Sequence, residues 1–262
     1  MTETEEMDYQ RRFGGIARLY GQHGLERFAR SHICVIGIGG VGSWVVEALA
    51  RSAVGEITLI DLDHLVESNV NRQIHAMDGQ FGKSKVDAMA ERIRAINPQC
   101  TIHCVEEFIS ADNLAQQIDT RFDYVIDCID SFKVKAALIA HCRRNKIKVI
   151  TVGGAGGQID PLKIRLGDLS RTEHDPLLGK TRKLLRKEYN FSRNLKRRFD
   201  IPCVYSEEQQ VYPDAQGEVC LAKSDKEMGT SLNCGGYGSA TAVTATFGFV
   251  AVSHVLKRLS GR

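Results

Sequence analysis

Apolar positions in the first part of the chain fall into short unbroken runs separated by longer stretches with a single apolar face. Ile33-Cys34-Val35-Ile36, Ile57-Thr58-Leu59-Ile60, Thr101 to Val105, Tyr124-Val125-Ile126-Asp127-Cys128 and Lys148 to Val152 have the length and residue types of strands, several of them buried on both faces. Between them, Ser43 to Ser52, Lys83 to Ile96, Ala111 to Ile118 and Lys133 to Asn145 read as helices. The second of these carries Val86, Met89, Ala90, Ile93 and Ile96 at helical spacing and stops at Asn97-Pro98, because proline cannot continue a helix. Such alternation predicts an α/β fold: a doubly wound, mainly parallel sheet wrapped by helices, with ligands at the carboxyl ends of the strands.

The pattern predicts an acidic, frayed start over residues 1 to 10, then short helices between Arg11 and Arg30. After Gly153-Gly154-Ala155-Gly156-Gly157 it changes. Leu162 to Leu166 alternates like a strand with one exposed face; Val204 to Gly217 and Val219 to Ala222 suggest strands around a turn at Pro213-Asp214. A second glycine-rich loop, Asn233 to Gly238, precedes a final apolar helix. The chain therefore divides into a helical lead-in (1–30), a nucleotide-binding core (31–157) and a sheet-and-loop elaboration continuous with that core (158–262).

Candidate chemistry begins in the first strand-to-helix turn, Gly37-Ile38-Gly39-Gly40-Val41-Gly42. A side chain there would hold the backbone away from phosphate oxygens, whereas free N–H groups at a helix N-terminus favour negative charge. Asp61 ends the second strand nineteen residues after Gly42, where a doubly wound sheet brings a carboxylate to the ribose hydroxyls. This Rossmann-like unit alone leaves a nicotinamide-dependent oxidoreductase open. The polar string from Asp63 to Gln73, with Asn69 and Arg72, then Lys85 and Asp130, tips the reading toward a triphosphate: cations neutralise its charge, and a carboxylate opposite them suits Mg²⁺. Asp130 is read as closing the strand that contains Asp127. His64 and His75 have no visible ligand set and read as structural.

In that order, the glycine loop, Asp61, Ser68-Asn69-x-x-Arg72-Gln73, Lys85 and Asp130 resemble the ubiquitin-activating enzyme superfamily, the ThiF/MoeB-like adenylating proteins. The resemblance implies that Asp61 binds ribose, that Asn69, Arg72 and Lys85 hold the phosphates, and that Asp130 holds magnesium. It also implies that a carboxylate attacks the α-phosphate of ATP, giving an acyl-adenylate and pyrophosphate. Arg12-Phe13-Gly14-Gly15, Arg18-Leu19-Tyr20-Gly21, Cys142 to Lys146, Gly153 to Pro161 and Ala242 to His254 resemble, within that superfamily, the tRNA threonylcarbamoyladenosine dehydratases. The implied substrate is the threonyl carboxylate of a modified adenosine in tRNA, cyclised after adenylation; AMP leaves and the net change is loss of water. A homodimer, a bound monovalent cation and a sulfur-relay protein partner are further implications, and DNA is not among the partners. The zinc-binding C-x-x-C pairs of the sulfur-carrier activators are absent, and their trans-subunit arginine aligns with Gly15, with Arg12 and Arg18 nearby as substitutes. Activation of a ubiquitin-like sulfur carrier is the alternative reading.

Charge supports an RNA partner. From Lys180 to Arg198 there are nine basic residues and one acid, a local charge of +8 that leaves −5 for the rest of a chain whose total is +3. Segregation of this kind suits a polyanion. Eight cysteines without a signal peptide read as reduced thiols in a cytoplasmic protein, mostly core residues; Cys234, beside the second glycine loop, is a weaker candidate for thioester or sulfur chemistry. The apolar segment 240–256 is expected to be a buried helix rather than a membrane anchor.

Overall fold

In the computed structural model, which describes residues 8–214, 216–221 and 237–261, the glycine loop joins β1 (His32–Ile36) to α3 (Gly42–Arg51), which leads to β2 (Glu56–Ile60). Gly37 has φ +86°, and a Cβ on Gly42 would lie 1.8 Å from the Gly37 carbonyl oxygen, so strand and helix can approach only with glycine there. The remaining core elements are α4 (Lys85–Ile96), β3 (Thr101–Val105), α5 (Leu114–Gln117), β4 (Tyr124–Asp127), α6 (Phe132–Arg144) and β5 (Val149–Val152). Then come β6 (Ile164–Asp168), α7 (Pro176–Glu188), β7 (Pro202–Ser206), β8 (Tyr212–Pro213), β9 (Val219–Cys220) and α8 (Thr241–Ser260). Two helices, α1 (Tyr9–Tyr20) and α2 (Gln22–Arg30), precede the sheet.

Seven strands form one sheet in the order β3-β2-β1-β4-β5-β7-β6, parallel except for β6, which runs antiparallel to β7. The order reverses between β1 and β4, and that switch point opens the crevice above their carboxyl ends. A hydrophobic core lies on each face. One contains Val45 and Leu49 of α3, Met89 and Ile93 of α4, and Phe247 and Val255 of α8. The other contains Leu138 and Ile139 of α6, Leu178 and Leu185 of α7, and Phe199. Each such buried leucine or phenylalanine is worth about 1.5–3 kcal/mol.

The apolar segment expected at 240–256 is α8. Val243, Phe247, Ala251 and Val255 form one i,i+4 row, with Thr244, Gly248, Val252 and Leu256 beside it, and all eight are buried. Gly248 lets α8 lie against α3: its Cβ would sit 3.0 Å from Val41 O and 3.1 Å from Val45 N. Among the described residues, no helix is long and apolar enough to cross a membrane.

Two expectations of how far an element extends need correction. Between Val204 and Gly217 the chain leaves the sheet after Ser206, because Glu208 and Gln210 turn inward: Glu208 accepts hydrogen bonds from Ile159 N and Asp160 N, and Gln210 donates to Gly156 O. The helix expected over Ala111 to Ile118 is the single turn α5. Of the cysteines, expected to be mostly core residues, Cys34, Cys100, Cys142 and Cys203 are buried, Cys128 and Cys220 are half-buried, and Cys104 is exposed. Residues 1–7, Ala222, Cys234 and the glycine loop as far as Gly236 lie outside the described residues.

Candidate active site

The crevice encloses about 510 Å³, and every site position nominated from the sequence lines it except Gly42, which instead packs behind the loop. Gly39 is informative. Its chain neighbours aside, nothing among the described residues lies within 4 Å of where its Cβ would be, so its lack of a side chain serves the space in the cleft rather than the packing. That is the cradle a phosphate group requires. Gly40 abuts Arg72, whose Cδ would lie 3.1 Å from a Cβ there.

Asp61 is buried at the carboxyl end of β2. Its Oδ2 accepts from Ile38 N at 2.6 Å and its Oδ1 from Asp63 N at 2.8 Å, so the carboxylate ties the glycine loop to the loop that follows β2. Burial raises its pKa, while the Lys85 charge and the two amides oppose the rise. Lys85 sits in the first turn of α4, held by the Ser84 N-cap and by donation from Lys85 N to Asp63 O at 3.0 Å. Its buried ammonium lies 2.6 Å from Asp63 Oδ2 and 4.0 Å from Asp61 Oδ1. Asp63 thus neutralises Lys85, a role the sequence reading did not assign to it.

Asn69 stabilises its own loop: Oδ1 accepts from Val66 N at 3.1 Å. Arg72 Nη1 donates to Ser68 O at 2.8 Å and to Asn71 Oδ1 at 3.0 Å, while Trp44 Nε1 donates to Arg72 O at 3.0 Å. The start of α8 completes the clasp, with Thr241 Oγ1 donating to Asn71 O and Asn71 Nδ2 donating to Ser239 O. Ser239 also lines the cleft.

Asp130 lines the cleft but does not end a strand: β4 stops at Asp127, and Asp130 is an exposed loop residue. The buried carboxylate is Asp127, fully enclosed with Lys135. Lys135 Nζ lies 2.8 Å from Asp127 Oδ2 and 3.1 Å from Thr151 Oγ1, and the Thr151 hydroxyl donates to Asp127 Oδ2 at 2.6 Å. Asp127 Oδ1 accepts from Ile129 N at 3.1 Å and so shapes the turn that presents Asp130. Asp175, the N-cap of α7, supports the opposite wall in the same way, accepting from Gly154 N at 2.9 Å; burial raises its pKa. Sequence reasoning missed both supports, although Asp175-Pro176 is a readable helix start. For the Asp130 carboxylate, no hydrogen bond or ion pair is found among the described residues, so an oxygen donor faces the cleft, as one ligand of a phosphate-bound Mg²⁺ would.

Residues 9–262 match the ThiF family. The chain belongs to it. Within the ThiF family it is similar to the tRNA threonylcarbamoyladenosine dehydratase of Haemophilus influenzae, 53% identical with 96% of this chain and 94% of that protein covered. It is also 52% identical to the Escherichia coli protein of the same name, over 97% of this chain and 95% of that one. A crystal structure of the E. coli enzyme, TcdA, in complex with ATP superposes with a TM-score of 0.87 at 50% identity, covering 98% of this chain and 96% of the other.

Elsewhere, Arg12 donates to Ile96 O at 2.7 Å and so caps the end of α4 in its own chain. His64 pairs with Glu106 at 3.4 Å on the surface, whereas His75 is buried.

Proposed function

We propose that this ThiF-family chain is an ATP-dependent tRNA threonylcarbamoyladenosine dehydratase. The observation that carries the reading is the cleft itself. An open glycine cradle, a buried Lys85 held by Asp63, and Arg72 on a clasped loop converge at the switch point of a fold shared with an ATP-bound relative at 50% identity. The substrate's threonyl carboxylate attacks the α-phosphorus of ATP, the bond to the bridging oxygen breaks, and pyrophosphate leaves. Arg72 and Lys85 hold the phosphates by charge-assisted hydrogen bonds, which strengthen as charge develops. The neighbouring carbamoyl group of the same nucleoside then attacks the activated carbonyl and gives up a proton, and AMP departs with the former carboxylate oxygen, so the nucleoside loses one water overall. Because this attack is intramolecular, it needs no protein nucleophile.

Asp61 binds ribose, Asn69 and Asp63 border the phosphates, and Asp130 would hold a Mg²⁺ ion, which would supply neutralisation of phosphate charge. The tRNA lies along α7. This helix begins beside the cleft, where Leu177 lines it, and runs for about 20 Å. Lys180, Lys183, Lys187, Arg193, Lys196, Arg197 and Arg198 are exposed. Arg182 and Arg186 are half-buried: Arg182 donates to Thr172 Oγ1, and Arg186 lies over the Phe199 ring at 5.1 Å. Seven of the nine basic residues in the tract are thus exposed, among them Lys187 at 3.5 Å from Glu188 and Lys180 over the Phe132 ring at 5.8 Å. A cytoplasmic homodimer, with a monovalent cation and a sulfur-relay partner, completes the reading.

Incubation with ATP, Mg²⁺ and tRNA carrying the threonylcarbamoyl mark should lower the nucleoside mass by one water, and Lys85→Ala and Arg72→Ala should each slow this about 10²-fold or more. Pyrophosphate exchange that depends on a sulfur carrier protein and not on tRNA would instead establish the carrier-activating alternative.

A further inference from the structure

We propose that His32, Glu56 and His103 form a binding site for a divalent transition metal of the zinc type at the amino-terminal edge of the sheet, remote from the nucleotide cleft. Register brings the three together. His32 opens β1 beside Glu56, the first residue of β2; two residues along β2, Thr58 pairs with His103 of β3. The strand period of two puts Glu56 and Thr58 on one face. Glu56 Oε1 is 3.3 Å from His32 Nδ1 and 2.8 Å from His103 Nε2, and one ligand atom from each side chain lies within 4.8 Å of the other two. Tetrahedral bonds of about 2.0–2.2 Å place ligand atoms about 3.3–3.6 Å apart, so small rotations of the half-exposed Glu56 and His103 would close the set on an ion.

His32 is prepared for such a role. Its backbone N donates to Asp123 Oδ2 at 2.9 Å, its ring meets Phe122 edge-on with centroids 4.7 Å apart, and its Nε2 lies 2.8 Å from Thr58 Oγ1. When Nδ1 carries the metal, Nε2–H donates to that hydroxyl, an outer partner of the kind that fixes the tautomer of a ligating histidine. Two imidazoles and a carboxylate suit zinc, cobalt or nickel rather than magnesium or calcium, which prefer oxygen ligands; water completes the fourth position. The site would staple β3, an edge strand, to β2 and β1. Glu56 and Asp61 lie at opposite ends of β2, about 16 Å apart, so the ion takes no part in adenylation.

Zn²⁺ titrated into the metal-free, reduced full chain against a competing fluorescent indicator should reveal a site with a dissociation constant on the order of micromolar. His103→Ala and Glu56→Gln should each weaken it about tenfold or more, while leaving the thermal shift given by ATP unchanged. Zn²⁺ at a hundred times its dissociation constant should raise the wild-type melting temperature by about 5 °C, and His103→Ala should lose that rise. Equal Zn²⁺ affinity in the wild type and both variants would assign the metal to thiols such as Cys104 and overturn the proposal. Absence of wild-type binding at concentrations on the order of 100 µM would do the same.

Discussion

Replacing Lys135 by methionine should cost the fold far more than any change of surface charge. Asp127 and Lys135 are both fully enclosed and 2.8 Å apart, and each also contacts the Thr151 hydroxyl. Methionine fills much of the lysine volume, so the loss is electrostatic: the Asp127 carboxylate, fully enclosed, keeps the Thr151 hydroxyl and the Ile129 amide but loses the counter-ion that Lys135 provides. Breaking a buried pair from one side costs about 3–5 kcal/mol, which for a chain of this size lowers the melting temperature by roughly 6–20 °C. Removing both charges in Asp127→Asn/Lys135→Met should restore part of that loss, because no uncompensated charge remains. Urea unfolding of the wild type, both single variants and the double variant gives the coupling directly. Since Asp127 also shapes the turn that presents Asp130, nucleotide affinity should fall in Lys135→Met along with stability. A Lys135→Met protein within about 1 kcal/mol of the wild type would refute the assignment of this pair as a buried, mutually dependent support.

Gly39→Ala should fold normally and bind ATP weakly, because the added methyl group enters only the cleft. Gly42→Ala should be strongly destabilised, since its Cβ would strike the Gly37 carbonyl at 1.8 Å; calorimetry with and without ATP separates the two. His75 is held neutral by burial, with its pKa pushed down to about 3 from an ordinary 6.5. Between those values the unfolded chain binds the extra proton, so this contribution is fully present above about pH 6.5 and is lost as pH falls, by about 1.4 kcal/mol per unit; His75→Gln should flatten that slope in acid unfolding curves. Lys183→Glu/Lys187→Glu should weaken tRNA binding and make it less sensitive to salt, since fewer phosphates are then neutralised and fewer counterions released, while the ATP thermal shift stays intact.

Local chemistry made the first half of the molecule readable. Glycines in the β1–α3 turn, unbroken apolar strands, and the Asn97-Pro98 stop each act within a few residues, and the sheet from β1 to β5 follows from them. Asp130 shows where such reasoning fails. Asp127-Cys128-Ile129-Asp130 contains two acids after an apolar run, and the one that is buried is set by Lys135 and Thr151, partners that strand patterning does not reveal. The bend after Ser206 depends likewise on distant amides at Ile159 and Asp160. Asp63 was nominated for the nucleotide, but its bond to Lys85 spans 22 positions and emerged only once α4 was placed.

The clasp between Asn71 and the start of α8 also orders events during synthesis. The loop bearing Arg72 emerges from the ribosome 170 positions before Thr241, the residue that secures it. Until that helix arrives, the part of the sheet it covers, over β5, β6 and β7, stays open beside α3 and α4, and the phosphate loop is unfastened. The contacts that fasten the Arg72 loop therefore form only after the start of α8 has been made, although the glycine turn they face is complete long before.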